Sequence, residues 1–194
     1  MTKQTKHKKR ENIILAAMTL IAKFGFHDAP MSMIAEKAGV GIGTIYRYFK
    51  NRDMMIQMIY KRNQERLVAF LLENYPSDWD VKDCFFHICY GMMSYFISNP
   101  LCFKYCEQFH NSPYGLASRR ERLFVSANQT DIFMDLYKRA TCRKVIKNMP
   151  VVLFFNLAYA PIIWSTRDHI VGMVQLDVPL AKLIVTSCWD SVKI

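Results

Sequence analysis

Catalytic signatures are missing from this 194-residue chain. It has no GxSxG, no HExxH, no Walker-type loop and no Rossmann glycine pattern, which leaves the common hydrolytic and nucleotide-dependent chemistries without their residues. Gly41-Ile42-Gly43 is too short to cradle a phosphate. No window reaches about 18 uninterrupted apolar residues, so no membrane span is expected. The most apolar run, residues 149–164, contains Pro150, Asn156 and Pro161 and reads as a buried helix. The basic start MTKQTKHKKR is followed by no leader-type apolar core and no small-residue cleavage site, which predicts a cytoplasmic protein. There is no CxxC pair, and the six cysteines of a non-secreted chain are expected as reduced thiols. Internal repeats, low-complexity tracts and strand alternation are also lacking. No cofactor is expected.

What is present is apolar surface and positive charge. Hydrophobic residues make up 52% of the chain, enough to fold and bury a core. The formal net charge is +10, and its placement gives it meaning. Residues 1–66 carry 13 Lys+Arg against 5 Asp+Glu, a net +8, whereas residues 67–194 carry 13 against 11, a net +2. A partner that is itself a polyanion follows from that split. Duplex DNA and an anionic membrane surface are the two candidates.

Residues 31–52, MSMIAEKAGVGIGTIYRYFKNR, separate these candidates. Ile34, Ala35 and Ala38 follow helical spacing, and Gly39 stands where a helix stop wants positive φ. A second short helix opens near Gly43 and closes at Phe49. Ile45 and Phe49 lie four apart and share an inward face. Stepping 100° per residue, Thr44 and Arg47 point away from it, and Tyr46 and Tyr48 flank it. One face is then apolar, and the other offers hydroxyls and a guanidinium, as a helix entering a major groove requires. A basic helical protein lying on lipid has no use for this pattern, although the basic tail and first helix keep that alternative open.

The order AGVGIGTIYRYFKNRD resembles the hallmark of the TetR/AcrR family of transcriptional regulators, whose usual form runs A-G-V-S-x-G-T-L-Y-x-H/Y-F-x-x-K. Val40, Gly43, Thr44, Tyr46, Tyr48 and Phe49 fall on their places. Gly41 replaces the usual Ser and Arg52 the usual Lys. The resemblance implies an all-α fold of about nine helices. A three-helix helix-turn-helix head, residues 1–53, is joined by a long helix to an effector-binding and dimerisation domain, residues 54–194. It further implies a homodimer that binds a double-stranded operator, and a repressor released by a small hydrophobic or aromatic ligand, with the long connecting helix as lever.

Local signals place the remaining elements. A first helix is predicted over residues 8–24, with Gly25 as its stop, Phe26 on the head core and Pro30 in the first turn of helix two. Asp53 is a fair N-cap for a helix over 53–75, and 76–78 is a breaker. Helices follow over 81–98, 101–109, 117–140, 150–166 and 179–192, with a loop over 110–116 and a basic connection over 143–148.

The candidate DNA contacts are Lys9, Ser32, Ile42, Gly43, Thr44, Tyr46, Arg47, Tyr48, Lys50 and Arg52. Arg47 is the direct base reader, because arginine pairs bidentately with guanine. Tyr46 and Tyr48 donate to phosphates, Lys50 and Arg52 supply charge, and the basic tail with Lys9 is an arm against the backbone. Aromatic and methionine side chains suited to an apolar pocket give Tyr60, Gln64, Met92, Tyr95, Phe133, Phe154 and Phe155 as ligand candidates. The broad apolar band of the last two helices gives Leu157, Trp164, Leu180, Leu183, Ile184, Cys188 and Trp189 as dimer candidates. Cys102, Cys106 and His110, four apart in series, leave a thiol or metal sensor as an alternative, provided that the helix does not fray before His110.

Overall fold

The computed structural model describes residues 3–75, 78–121 and 131–194. Ten helices and no strand occur among them: α1 Lys3–Phe24, α2 Met31–Lys37, α3 Ile42–Tyr48, α4 Arg52–Leu72, α5 Val81–Ser98, α6 Pro100–His110, α7 Pro113–Arg120, α8 Ile132–Cys142, α9 Val151–Ile170 and α10 Val178–Val192. They form two compact units, Met1–Glu65 with Leu101–Ser118, and Arg66–Pro100 with Arg119–Ile194. The packing therefore divides inside α4, not at residue 53, and the head unit includes α6.

In the first unit the inward stripe of α1 (Ile13, Ile14, Ala17, Leu20 and Ile21) meets Ile34, Ala35, Ile45, Phe49, Met55, Ile56 and Ile59 in one core. Gly25 ends α1 at φ 78, its N–H donating to the Ile21 carbonyl at 2.8 Å. Gly39 takes φ 65 at the turn between α2 and α3, the conformation expected of it. Pro30 lies one residue before α2 and not in its first turn. The expected N-cap of α4 is also corrected. Asn51 Oδ1 accepts the Met54 N–H at 2.8 Å, while Asp53, inside the first turn, accepts the Tyr114 hydroxyl at 2.6 Å.

Sequence reasoning placed α6 with the second part, but Tyr105 and Phe109 complete the head core. The Tyr105 hydroxyl donates to the Ile56 carbonyl at 2.8 Å, and Phe26 packs edge-on against both Tyr105 and Tyr114. The expected loop over 110–116 is corrected as well. Ser112 Oγ accepts the Gly115 N–H at 3.4 Å, and Pro113 opens α7, a cap followed by proline in the first turn. Of the helix expected over 117–140, residues 122–130 lie outside the described residues, as do Pro76 and Ser77 of the breaker.

The corner between α6 and α7 depends on Gly115. A Cβ there would lie 2.3 Å from the Phe109 carbonyl oxygen and 2.6 Å from His110 Cα. Both neighbours are backbone and cannot rotate away. Gly115→Ala is expected to destabilise the protein by about 2–3 kcal/mol, the upper range for overpacking. Chemical denaturation checks this, and an unchanged midpoint would mean that the corner opens without cost.

In the second unit α5 packs on α9, α10 packs on both, and α8 packs on α5. Phe85, Phe154, Ala158, Tyr159, Ile162, Val185 and Trp189 are buried there. Helix α9 continues through Pro161 to Ile170, longer than the expected end at 166, and Gly172 at φ 81 follows it. Asp177 caps α10 by accepting the Leu180 N–H at 2.9 Å. No helix among the described residues is long and apolar enough to cross a membrane.

Candidate nucleic-acid interface

Helix α3 has only seven residues, too short to persist alone, and its inner face holds it. Ile45 and Phe49 are buried at 0% and 2% exposure. The opposite face is open: Ile42, Gly43, Tyr46, Arg47 and Lys50 are exposed, while Thr44 and Tyr48 are half-buried. Arg47 Nη2 donates to Thr44 Oγ1 at 3.4 Å, so the expected base reader and its hydroxyl neighbour stand side by side on the outer surface. Tyr48 packs against the head core and presents less of its ring than Tyr46, which is 49% exposed. Ser32 is exposed on α2 and Lys9 half-buried on α1. The basic segment from Lys3 onward belongs to α1 as helix.

Arg52 has partners inside the head. Its guanidinium donates to the Phe26 carbonyl and to the Ala29 carbonyl at 3.4 Å, tying the start of α4 to the α1–α2 connection. The guanidinium thus also braces the head, a role that its motif position did not show. Two residues that sequence reasoning missed, Glu11 and Arg62, form a two-pronged ion pair between α1 and α4, with Arg62 Nη1 and Nη2 at 2.8 and 2.6 Å from the carboxylate oxygens. Those hydrogen bonds hold the Glu11 carboxyl below its ordinary value, outweighing the opposing effect of burial. The signal for them was available: Arg10 and Glu11 continue the inward stripe of α1 with charge.

The ligand candidates divide between the units. Tyr60 stacks on Phe109 with ring centroids 3.7 Å apart, and Gln64 follows on the same helix, both within the first unit. Met92, Tyr95, Phe133, Phe154 and Phe155 belong to the second unit. There Tyr159 is ringed by Phe85, Phe133, Phe154 and Phe155, with centroids 5.4–6.1 Å away.

The dimer candidates divide by exposure. Trp164 and Leu183 are 58% and 62% exposed, and Leu157, Leu180 and Ile184 are half-buried. Cys188 and Trp189 are corrected: they are buried at 2% and 7%, turned with Val185 and Val192 toward α5 and α9.

Helix α6 does reach His110, contrary to the expected fraying, yet His110 is exposed and edge-on to Tyr60 while Cys102 and Cys106 are buried. Donation of its own proton in a hydrogen bond with Cys102, and then burial, push the Cys106 thiol well up, away from the thiolate that redox sensing or metal binding uses. No group of three His, Cys, Asp or Glu side chains able to hold a metal occurs among the described residues. Nothing supports the sensor alternative.

A trihelical head with an exposed, cationic second helix after a glycine turn defines a helix-turn-helix DNA-binding protein. The family model described as "Bacterial regulatory proteins, tetR family" matches residues 13–59, and that described as "Tetracyclin repressor-like, C-terminal domain" matches residues 81–193. The chain belongs to the TetR family of transcriptional regulators, and is not an enzyme. Among curated relatives it is 38% identical over 69 residues to a fatty acid metabolism regulator protein of Bacillus subtilis, a match spanning 36% of each chain. A TetR family transcription regulator from Marinobacter aquaeolei shares the fold at a TM-score of 0.83, with 19% identity over 99% of both chains. The transcriptional regulator FadR from Bacillus subtilis, solved in complex with stearoyl-CoA, superimposes at 0.72, with 19% identity over 92% of this chain and 97% of that one.

Proposed function

We propose that the chain is a homodimeric repressor that reads its operator through α3 and releases it on binding a small apolar ligand in the helical second unit. The carrying observation is the outer face of α3: Tyr46 and Arg47 stand open, with half-buried Thr44 beside Arg47, on a helix anchored from behind by Ile45 and Phe49, within the part of the chain that holds a net +8. Arg47 reads a base, Tyr46 and Lys50 address phosphates, and Lys9 adds charge from α1. The rings around Tyr159 supply the apolar ligand surface. A long acyl chain is the first ligand class to try, because the FadR structure holds stearoyl-CoA. Helix α4 runs unbroken through parts of both units and is the means by which a ligand favours a head arrangement that does not fit DNA.

Selection of bound sequences from random duplex DNA, repeated with and without acyl thioesters, tests this reading. Enrichment of one sequence, lost on adding the ligand, is the expected result; no enrichment in either condition overturns it. On the enriched duplex, Arg47→Ala is expected to lose about 1–3 kcal/mol of discrimination at one base pair. Lys50→Ala should weaken all sequences alike and lower the salt slope by about one. Equal, sequence-independent losses from both would remove the reading role from Arg47.

A further inference from the structure

Helix α1 carries charge where its inward stripe asks for apolar side chains. Ile21, Ala17, Ile14 and Ile13 are buried, and one turn toward the N-terminus the stripe reaches Glu11 and Arg10. None of residues 7–12 is buried, so the apolar core that holds the rest of α1 stops at Ile13. Ionic contacts hold the turns before it. Arg62 of α4 grips the Glu11 carboxylate at 2.8 and 2.6 Å, and Arg10 Nη1 stands 3.9 Å from the same group. The Arg10 guanidinium also donates to Met58 Sδ at 2.8 Å and lies 5.8 Å from the centroid of Phe49, the residue that closes α3. Lys8 and Lys9 precede this clasp directly.

We propose that Glu11 is a positioning residue for DNA binding: clasped by Arg62 and Arg10, it fixes the basic N-terminal turns of α1 beside the end of the recognition helix, so that Lys8 and Lys9 meet DNA phosphates as a preorganised pair. The proposal rests on the reading of the head as a DNA-binding element. A carboxylate among cations that face a polyanion lowers their attraction to it. Its contribution lies in where it places them. The same argument explains why the pair needs arginine at 62, whose planar fork matches a carboxylate with two parallel hydrogen bonds, as lysine does not.

The test turns on sign. Glu11→Gln and Glu65→Gln each raise the net charge by one, and Glu65 is an exposed residue of α4 that stands 3.9 Å from Lys61. A mere loss of negative charge tightens binding to DNA. Glu11→Gln is instead expected to weaken binding about tenfold, to the enriched duplex and to a mixed-sequence duplex alike, and to reduce the salt slope by about one to two. Glu65→Gln should bind as tightly as the unaltered chain or tighter. Replacing Lys8 and Lys9 by Ala should cost affinity in the unaltered chain and little more in Glu11→Gln, as coupled residues behave. Arg62→Lys, which keeps the charge and loses the two-pronged grip, should reproduce the change in slope, and it decides the matter if Glu11→Gln does not fold. Glu11→Gln binding as tightly as Glu65→Gln, or full additivity with the lysine replacements, overturns the proposal and leaves the DNA-binding reading standing. Failure of the unaltered chain to bind either duplex overturns the DNA-binding reading itself.

Discussion

Phe49→Ala is expected to abolish operator binding and to cost about 3–5 kcal/mol of stability, the usual penalty for emptying a buried phenylalanine site. The reason lies in the length of α3. Seven residues are far below the roughly 12–15 at which a helix begins to hold its own in water, so tertiary contacts must hold it. Those contacts are few. Ile45 is the only buried residue within α3, and Phe49, immediately after it, is the second anchor. The Phe49 N–H also donates to the Ile45 carbonyl at 3.0 Å, closing the last turn, and Arg10 of α1 lies over its ring. Removing the ring opens a cavity, releases the C-terminal end of α3 and leaves Arg10 without its platform. A protein whose whole stability is about 5–15 kcal/mol loses a large fraction of it. Thermal unfolding followed by circular dichroism, with DNA binding measured well below the midpoint, separates loss of fold from loss of contact. Tyr46→Ala is the companion variant. That side chain is 49% exposed, so stability should stay within about 0.5 kcal/mol while DNA affinity falls. Operator affinity surviving in Phe49→Ala would mean that α3 is held by something other than its inner face.

The parts of this head that could be read from sequence are those fixed by local rules. The glycine turn, the inward seam of Ile45 and Phe49 and the outward Arg47 all follow from a 100° step and from the tolerance of glycine for positive φ. Helix α5 was legible for the same reason: Asn99-Pro100 ends it, and the observed span Val81–Ser98 is the expected one. What escaped depended on partners distant in sequence. Arg52 sits in a cationic motif position, and nothing near it shows that the carbonyls of Phe26 and Ala29 engage it. Tyr105 and Tyr114 lie 49 and 61 residues along the chain from Ile56 and Asp53, to which they bond in the head unit. On α10 the apolar band is broader than one face, so periodicity alone could not say which side meets α5 and α9. The structure gives Val185, Cys188, Trp189 and Val192 to the interior and leaves Leu183 outside. That division decides which residues are left to meet a second copy.

Leu183→Glu is accordingly expected to convert a dimer to monomers and to weaken operator binding by two orders of magnitude or more. Leu153, Trp164 and Leu183 are 45%, 58% and 62% exposed on α9 and α10, which pack on each other, with Leu157, Leu180 and Ile184 half-buried on the same two helices. Large apolar side chains in such number on one helix pair mark an association surface. In a twofold-symmetric dimer the same patch meets itself, so a carboxylate introduced at 183 enters the interface twice and is desolvated twice. The effect on DNA follows from linkage. Two heads tied together bind the second half-site at a high effective concentration, an advantage of about 10²–10⁴ that separate monomers lack. Leu116→Glu is the control, because Leu116 is also 62% exposed but lies on α7 in the head unit. Sedimentation of both variants at micromolar concentration, together with DNA titration, gives the answer. Monomeric Leu183→Glu beside dimeric Leu116→Glu assigns the interface to α9 and α10, whereas a Leu183→Glu variant that remains dimeric places the interface elsewhere.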